Sequence, residues 1–164
     1  MHEFQPIPYR DKSLFYHELR GELSGLYEKY WLTNLSNAAA ALNSHLPNIN
    51  WVGFYLWQDS ELRLGPFQGR PACLRIPLGR GVCGTAAEKR QTLMVADVNQ
   101  FPGHIACDSR SKSEIVIPMV FENRLLGVLD VDSPELNRFD ATDTLGLENL
   151  VAELLQLTTW PASF

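Results

Sequence analysis

The chain has 164 residues, 45% hydrophobic and 20% charged, which is ordinary globular composition with enough length to bury one core, and it excludes a disordered chain. A net charge of −5 leaves no basic surplus to neutralise phosphates, so neither nucleic acid nor an anionic membrane is an expected partner. No apolar run reaches the length of a membrane span, and MHEFQPIPYRDK lacks a charged n-region followed by an apolar stretch; one cytoplasmic domain over 1–164 is the expectation, with 1–12 as a loosely ordered extension.

Leu19, Leu23, Leu26 and Tyr30 share one helical face, which predicts an amphipathic helix over 13–30. A second helix is expected from Thr33, as its N-cap, to Leu46, with alanines inside and Pro47 ending it. NWVGFYLW then reads as a strand, and LRLGPF, CLRIPL, QTLMVADV, EIVIPMVF and LLGVLDVD are five more. From Asp140 as cap, Leu147, Leu150, Val151, Leu154 and Leu157 mark a C-terminal helix. Six strands with short turns between flanking helices predict an α+β fold with an antiparallel sheet.

GRGVCG, residues 79–84, has the G-x-G-x-x-G pattern after a strand. A dinucleotide site needs a long crossover helix to a parallel strand, and only TAAEKR separates the motif from the next strand. The glycines are therefore expected to make a tight turn that brings backbone close to a site, and no cofactor is expected.

The three cysteines are Cys73, Cys83 and Cys107. An odd count cannot pair completely, and a cytosolic setting disfavours a structural disulfide framework. Joined with His104 they could form a Cys3His zinc set, but the paired C-x-x-C spacing of such motifs is missing, so no metal is expected. Cys73 and Cys83 read equally well as buried filler. Cys107 differs, because PGHIACDSRSKS surrounds it with polar and basic residues. His104, Arg110 and Lys112 could raise its thiolate fraction, although a solvated loop holds such residues as readily.

The acids are placed by the pleat. Alternation along GVLDVDS sends Asp130 and Asp132 to one face and Leu129 and Val131 to the other. Two acids on a strand are often its wet face, yet Trp51 with Tyr55, and Glu114 with Val116, also share faces, as residues lining a pocket would. A three-residue Glu-Asn-Arg loop between the last two strands places Glu114 across from Asp132, whereas a two-residue Asn-Arg loop places them on opposite faces. Asn-Arg is a poor two-residue turn, so the paired register is expected. Like charges directly opposite destabilise unless one stays protonated, and a carboxylic acid kept neutral at pH 7 is a proton donor. A thiolate beside a proton donor suits removal of oxygen from a sulfoxide, which demands protons at the site. The cysteine is left as a sulfenic acid, a second thiol condenses with it to a disulfide, and an external dithiol reduces that bond.

On these residues the chain resembles the free methionine-(R)-sulfoxide reductases, single GAF-domain enzymes. LLGVLDVDS and RFDATDTLGLENLVAEL look like the generic C-terminal half of a GAF domain. NWVGFYL, LGPFQG, ACLRIPLGRGVCGTA, GHIACDSRSKSEIVIP and GVLDVDS are the more specific stretches, from about residue 50 to 133. The resemblance implies a GAF fold with a six-stranded antiparallel sheet flanked by N- and C-terminal helices. It also implies an enclosed cavity for free L-methionine (R)-S-oxide. Cys107 matches the nucleophile, Cys73 the resolving cysteine and Cys83 the third cysteine of the pattern. Glu114, Asp130 and Asp132 match the acids that bind substrate and assist protonation, and Trp51 and Tyr55 the aromatics around its methyl end. Thioredoxin is the reductant the resemblance implies, and it is compatible with a homodimer.

The acids suit the ammonium of a free amino acid and loop N–H groups near Cys107 its carboxylate, so peptide-bound methionine would be rejected. Two other readings compete: a non-catalytic GAF sensor, for whose output domain the chain has no room, and a thiol switch whose disulfide controls partner binding.

Overall fold

The computed structural model describes residues 7–105 and 107–164. Of the expected loose extension, residues 1–6 lie outside this description, while Tyr9 is anchored by donating its hydroxyl to Asp143 Oδ1 at 2.6 Å. Helix α1 (Lys12–Ser24) starts where the Asp11 side chain accepts from the N–H groups of Ser13 and Leu14. Phe15, Tyr16, Leu19 and Leu23 form its buried face. The helix ends short of the expected Tyr30. The buried Asn34 takes both backbone groups of Glu28, accepting from its N–H at 2.9 Å and donating to its carbonyl, so that residue is removed from helical bonding. Helix α2 (Trp31–His45) begins two residues before the expected Thr33 cap, with Tyr30 as N-cap and no side-chain capping bond. It ends at His45, with Leu46 as an extended C-cap before Pro47.

All six expected strands form: β1 (Trp51–Gln58), β2 (Glu61–Gly69), β3 (Arg75–Pro77), β4 (Leu93–Val95), β5 (Ser113–Phe121) and β6 (Arg124–Ser133). They make one sheet in the order β3-β2-β1-β6-β5-β4, antiparallel at every pairing. β3 and β4, at the two edges, keep only three residues each of longer expected runs. Asp59 and Ser60 turn β1 into β2 with positive φ at both positions, the geometry of a two-residue hairpin that follows the sheet twist.

The GRGVCG stretch departs from expectation. Rather than only a tight turn, it opens helix α3 (Gly81–Lys89), with Gly79 and Gly81 at φ of +73° and +61°. The strand that follows, β4, runs antiparallel to its neighbour β5, so the parallel crossover of a dinucleotide site is absent from this part of the sheet.

One face of the sheet, with Val52, Phe54, Ile115, Ile117, Leu129 and Val131, joins α1, α2 and helix α4 (Ala141–Leu157) in the larger core. The other face, with Trp51, Tyr55, Val116 and Val128, is covered by α3 and by residues of the β2–β3 and β4–β5 connections. Period-two alternation thus divides each strand between a structural core and a second, smaller layer. Among the described residues no helix is long and apolar enough to cross a membrane.

Asp140 caps α4 as expected, in a reciprocal box with Asp143. Asp143, fully buried, also accepts from the Tyr9 and Tyr16 hydroxyls and from Lys12 Nζ at 2.5 Å, with Arg138 Nη1 at 3.4 Å. Burial alone would raise its pKa; the bonds from Lys12, Tyr9 and the Asp140 backbone outweigh that and lower it. Asp143→Ala is expected to cost about 3–5 kcal/mol by urea denaturation, since it leaves the buried Arg138 guanidinium and the Tyr16 hydroxyl without their carboxylate, while Lys12 keeps Asp140. A loss below about 1 kcal/mol would show that the network tolerates the gap.

Candidate active site

The second layer gathers chemistry that lies far apart in the chain. Cys73 sits between β2 and β3, and Cys107 between β4 and β5; the two are joined in a disulfide across 34 residues of sequence, with Cα atoms 5.4 Å apart. Cys83, on the first turn of α3, is a free and buried thiol. Tyr55 from β1, Glu114 from β5, and Asp130 and Asp132 from β6 face the same cavity as Cys83 and Cys107. Arg80, His104, Asp108 and Ser111 complete its polar wall, and Ile76, Val82 and Ile105 its apolar side. Trp51 is not part of that wall. It stacks behind, on Tyr55 at 5.9 Å and Phe67 at 5.4 Å between centroids, with Nε1 donating to the Arg70 carbonyl.

The register brings Glu114 directly opposite Asp132, and Val116 opposite Asp130. The pairing is the expected one, but the loop is not. Phe121 pairs with Arg124, so the turn has two residues, Glu122 and Asn123, both at positive φ. The ladder shifts between Met119 and Val120, where Met119 pairs with Gly127 and Val120 with Leu125. That bulge adds one residue on β6 and restores the facing carboxylates. Gly127, at φ of +152°, is required there: a Cβ would collide with the Tyr55 carbonyl oxygen.

Burial sets the protonation of these acids. Glu114 is pushed well above the usual carboxylate range by desolvation, and then by the charges of Asp130 and Asp132. Asp130 rises to about 7, again by desolvation, against hydrogen bonds with Cys83 and Glu114 that hold it lower. Asp132 is also raised, by burial and next by Asp130. The Cys83 sulfur lies 3.8 Å from Glu114 Oε1, and burial followed by Asp130 and Glu114 pushes its thiol up. Burial thus favours the protonated form across this cluster, and most directly for Glu114. Oδ1 of Asp130 is buried without a hydrogen-bond partner, an acceptor in want of a donor.

The basic residues expected to activate Cys107 divide differently. Arg110 is tied to Asp108 by Nε and by Nη2, the latter at 2.7 Å, and its backbone N–H donates to the same carboxylate. This turn braces the loop, together with Asn50, whose Nδ2 reaches Asp108 and Ser111. The Asp-Ser-Arg spacing carried that signal, since Asp bonds its own backbone two residues on. Lys112 is exposed. His104 Nε2 lies 3.9 Å from Glu114 Oε2, and burial lowers its pKa, which favours a neutral ring. Cys83, Glu114 and Asp130 place one sulfur and two carboxylate oxygens within 4.8 Å of one another. This donor set differs from the Cys3His set weighed in the sequence, whose Cys73 and Cys107 are bonded to each other.

A GAF domain model matches residues 32–157. Over 146 residues the chain is 50% identical to a free methionine-R-sulfoxide reductase of Escherichia coli, covering 88% of each protein. It is 50% identical over 128 residues to one of Saccharomyces cerevisiae, covering 73% of this chain and 71% of that protein. The X-ray structure of free methionine-R-sulfoxide reductase from Neisseria meningitidis in complex with its substrate superposes with a TM-score of 0.90 at 45% identity, covering 95% of each chain. Identity at this level, over nearly the full length and on the same antiparallel sheet, settles descent: the chain belongs to the free methionine-R-sulfoxide reductases, a family of GAF-domain enzymes.

Proposed function

We propose that the chain reduces free L-methionine (R)-S-oxide to L-methionine with Cys107 as nucleophile. The observation that carries this reading is the shared cavity, where a disulfide-paired sulfur and a buried carboxyl whose pKa is raised by desolvation face the same space. In the reduced enzyme the Cys107 thiolate attacks the sulfoxide sulfur while Glu114 protonates its oxygen. The oxygen passes to Cys107 as its bond to the substrate sulfur breaks, giving a sulfenic acid and free methionine. Substrate sulfur gains two electrons and Cys107 loses two. The Cys73 thiol then bonds to the Cys107 sulfur, and the hydroxyl leaves with the thiol proton as water. Thioredoxin is the dithiol that reduces the resulting bond.

The unpartnered Asp130 oxygen, with Asp132 beside it, supports capture of the substrate ammonium, and its carboxylate is assigned to N–H groups of the loop that carries Cys107. A peptide-bound methionine brings neither charge and would leave these groups unpaired. Tyr55 borders the cavity and serves the methyl end, with Trp51 stacked behind it.

Incubation of the reduced enzyme with each diastereomer tests the reading. The (R)-sulfoxide should give about one methionine per enzyme without added reductant, with one internal disulfide gained. Consumption of the (S) form, or no methionine at all, would overturn it. A sensor or a thiol switch releases none.

Cys73→Ser should still complete one turnover and then stall with thioredoxin, because the sulfenic acid loses its partner. Recycling that continues in Cys73→Ser and stops in Cys83→Ser would transfer the resolving role to Cys83, the buried thiol beside Glu114.

A further inference from the structure

Both cysteines of the disulfide are half-buried, but their surroundings differ. Cys107 lines the cavity and Cys73 does not. Directly after Cys73 stands Leu74, 73% exposed and the most exposed of the large hydrophobic residues described. Its backbone is fixed by the Leu64 N–H, which donates to the Leu74 carbonyl at 3.1 Å, so an ordered chain presents the side chain to water. Leu78, 39% exposed, follows on the far side of β3. An apolar residue held out beside a reactive bond marks a contact surface more than a scattered surface leucine does.

Charge adds a second, independent feature. Residues 70–80, RPACLRIPLGR, carry three arginines and no acid, in a chain of net charge −5. Arg70, Arg75 and Arg80 are all exposed. Arg75 Nε stands 3.6 Å from Glu61, a carboxylate already paired with Arg63, so the segment stays basic overall. The rim of the disulfide is thus positive and apolar where the molecule as a whole is negative.

Building on the recycling step above, we propose that Leu74, Leu78, Arg70 and Arg75 around Cys73 form the docking surface for a dithiol protein with an apolar collar and an acidic rim around its attacking thiol. The partner's thiolate bonds to the Cys73 sulfur, the Cys73–Cys107 bond breaks, and Cys107 leaves as the thiolate needed for the next turnover. The partner's second thiol then attacks its own first sulfur and frees Cys73. The partner is oxidised by two electrons and the enzyme disulfide is reduced by two. Attack at Cys73 keeps the incoming protein outside the cavity.

The test compares thioredoxin with dithiothreitol as reductant for Leu74→Ser, Arg75→Glu and wild type. Each variant should raise the KM for thioredoxin by about tenfold, in the range of a truncated interface residue. Turnover with dithiothreitol and methionine release by prereduced enzyme should match wild type. Thioredoxin whose second cysteine is replaced by serine should be trapped on Cys73, read by peptide mass spectrometry. An unchanged KM in both variants, equal losses with both reductants, or trapping on Cys107 would overturn the proposal. So would a change of oligomeric state in Leu74→Ser by sedimentation, which would make the surface a contact between copies. A wild type recycled by dithiothreitol and not by thioredoxin would reject the docking while leaving the disulfide chemistry standing. One that makes no methionine with either would reject the underlying reading.

Discussion

Cys107→Ser should reduce methionine formation by more than about 1,000-fold, to the background without enzyme. A hydroxyl at this position ionises far above neutral pH and cannot take up the sulfoxide oxygen as a sulfenic acid does. Serine also breaks the bond to Cys73, but that bond is absent from the reduced enzyme that meets substrate, so the fold should persist. Calorimetric binding of the (R)-sulfoxide separates the two outcomes: binding near the wild-type level with no product confirms a chemical role. Turnover above about one per cent of wild type would place the nucleophile elsewhere, and Cys83 is the thiol remaining in the cavity wall.

Glu114→Gln should slow the single-turnover rate by about 100- to 10,000-fold, the usual range for a positioned acid, and at the same time stabilise the protein at alkaline pH. The sign follows from burial. Glu114 is raised well above its ordinary value and Asp130 to about 7, so the folded chain holds protons that the unfolded chain has released. Wherever the native state binds more protons, stability falls as pH rises. The contribution of these groups is complete below their unfolded values and is lost as pH climbs through the folded ones. Glutamine removes one such proton and keeps an amide oxygen near the Cys83 sulfur, now 3.8 Å from Oε1. Urea denaturation of the reduced proteins should therefore show Glu114→Gln more stable than wild type at pH 8, with the gap shrinking toward pH 4. An unchanged rate would remove Glu114 from the proton path; an equal stability difference at both pH values would mean that Glu114 is ionised in the folded protein.

The acids of the cavity stand back to back with the large core. β5 and β6 carry Ile115, Leu129 and Val131 into the large core, and the same pleat aims Glu114, Asp130 and Asp132 the other way. Hydrophobic burial on one face thus holds three desolvated carboxyls on the other. Burial and the facing register raise the pKa of these carboxyls, because like charges across a ladder are unfavourable.

Alternation of apolar and polar residues determined the strands, and with them the face on which the acids stand, because a strand repeats every two residues wherever it pairs. Asp140 likewise announced α4 through a local capping bond. The path between the facing acids was less legible. The turn is Glu122-Asn123 and a bulge near Gly127 restores the register, so the expected pairing arose from two compensating differences. A bulge answers to how close the Tyr55 carbonyl comes from another strand, a nonlocal condition that no window of sequence contains. Helix α3 eluded the local reading for the opposite reason: its glycines signal a turn, while burial of Val82, Ala86 and Ala87 against the sheet makes a helix of them. The meeting of Cys73 with Cys107 had only the family resemblance to predict it. Two connections 34 residues apart start from opposite edges of the sheet and meet over one of its faces, and only chain packing in three dimensions decides such a contact.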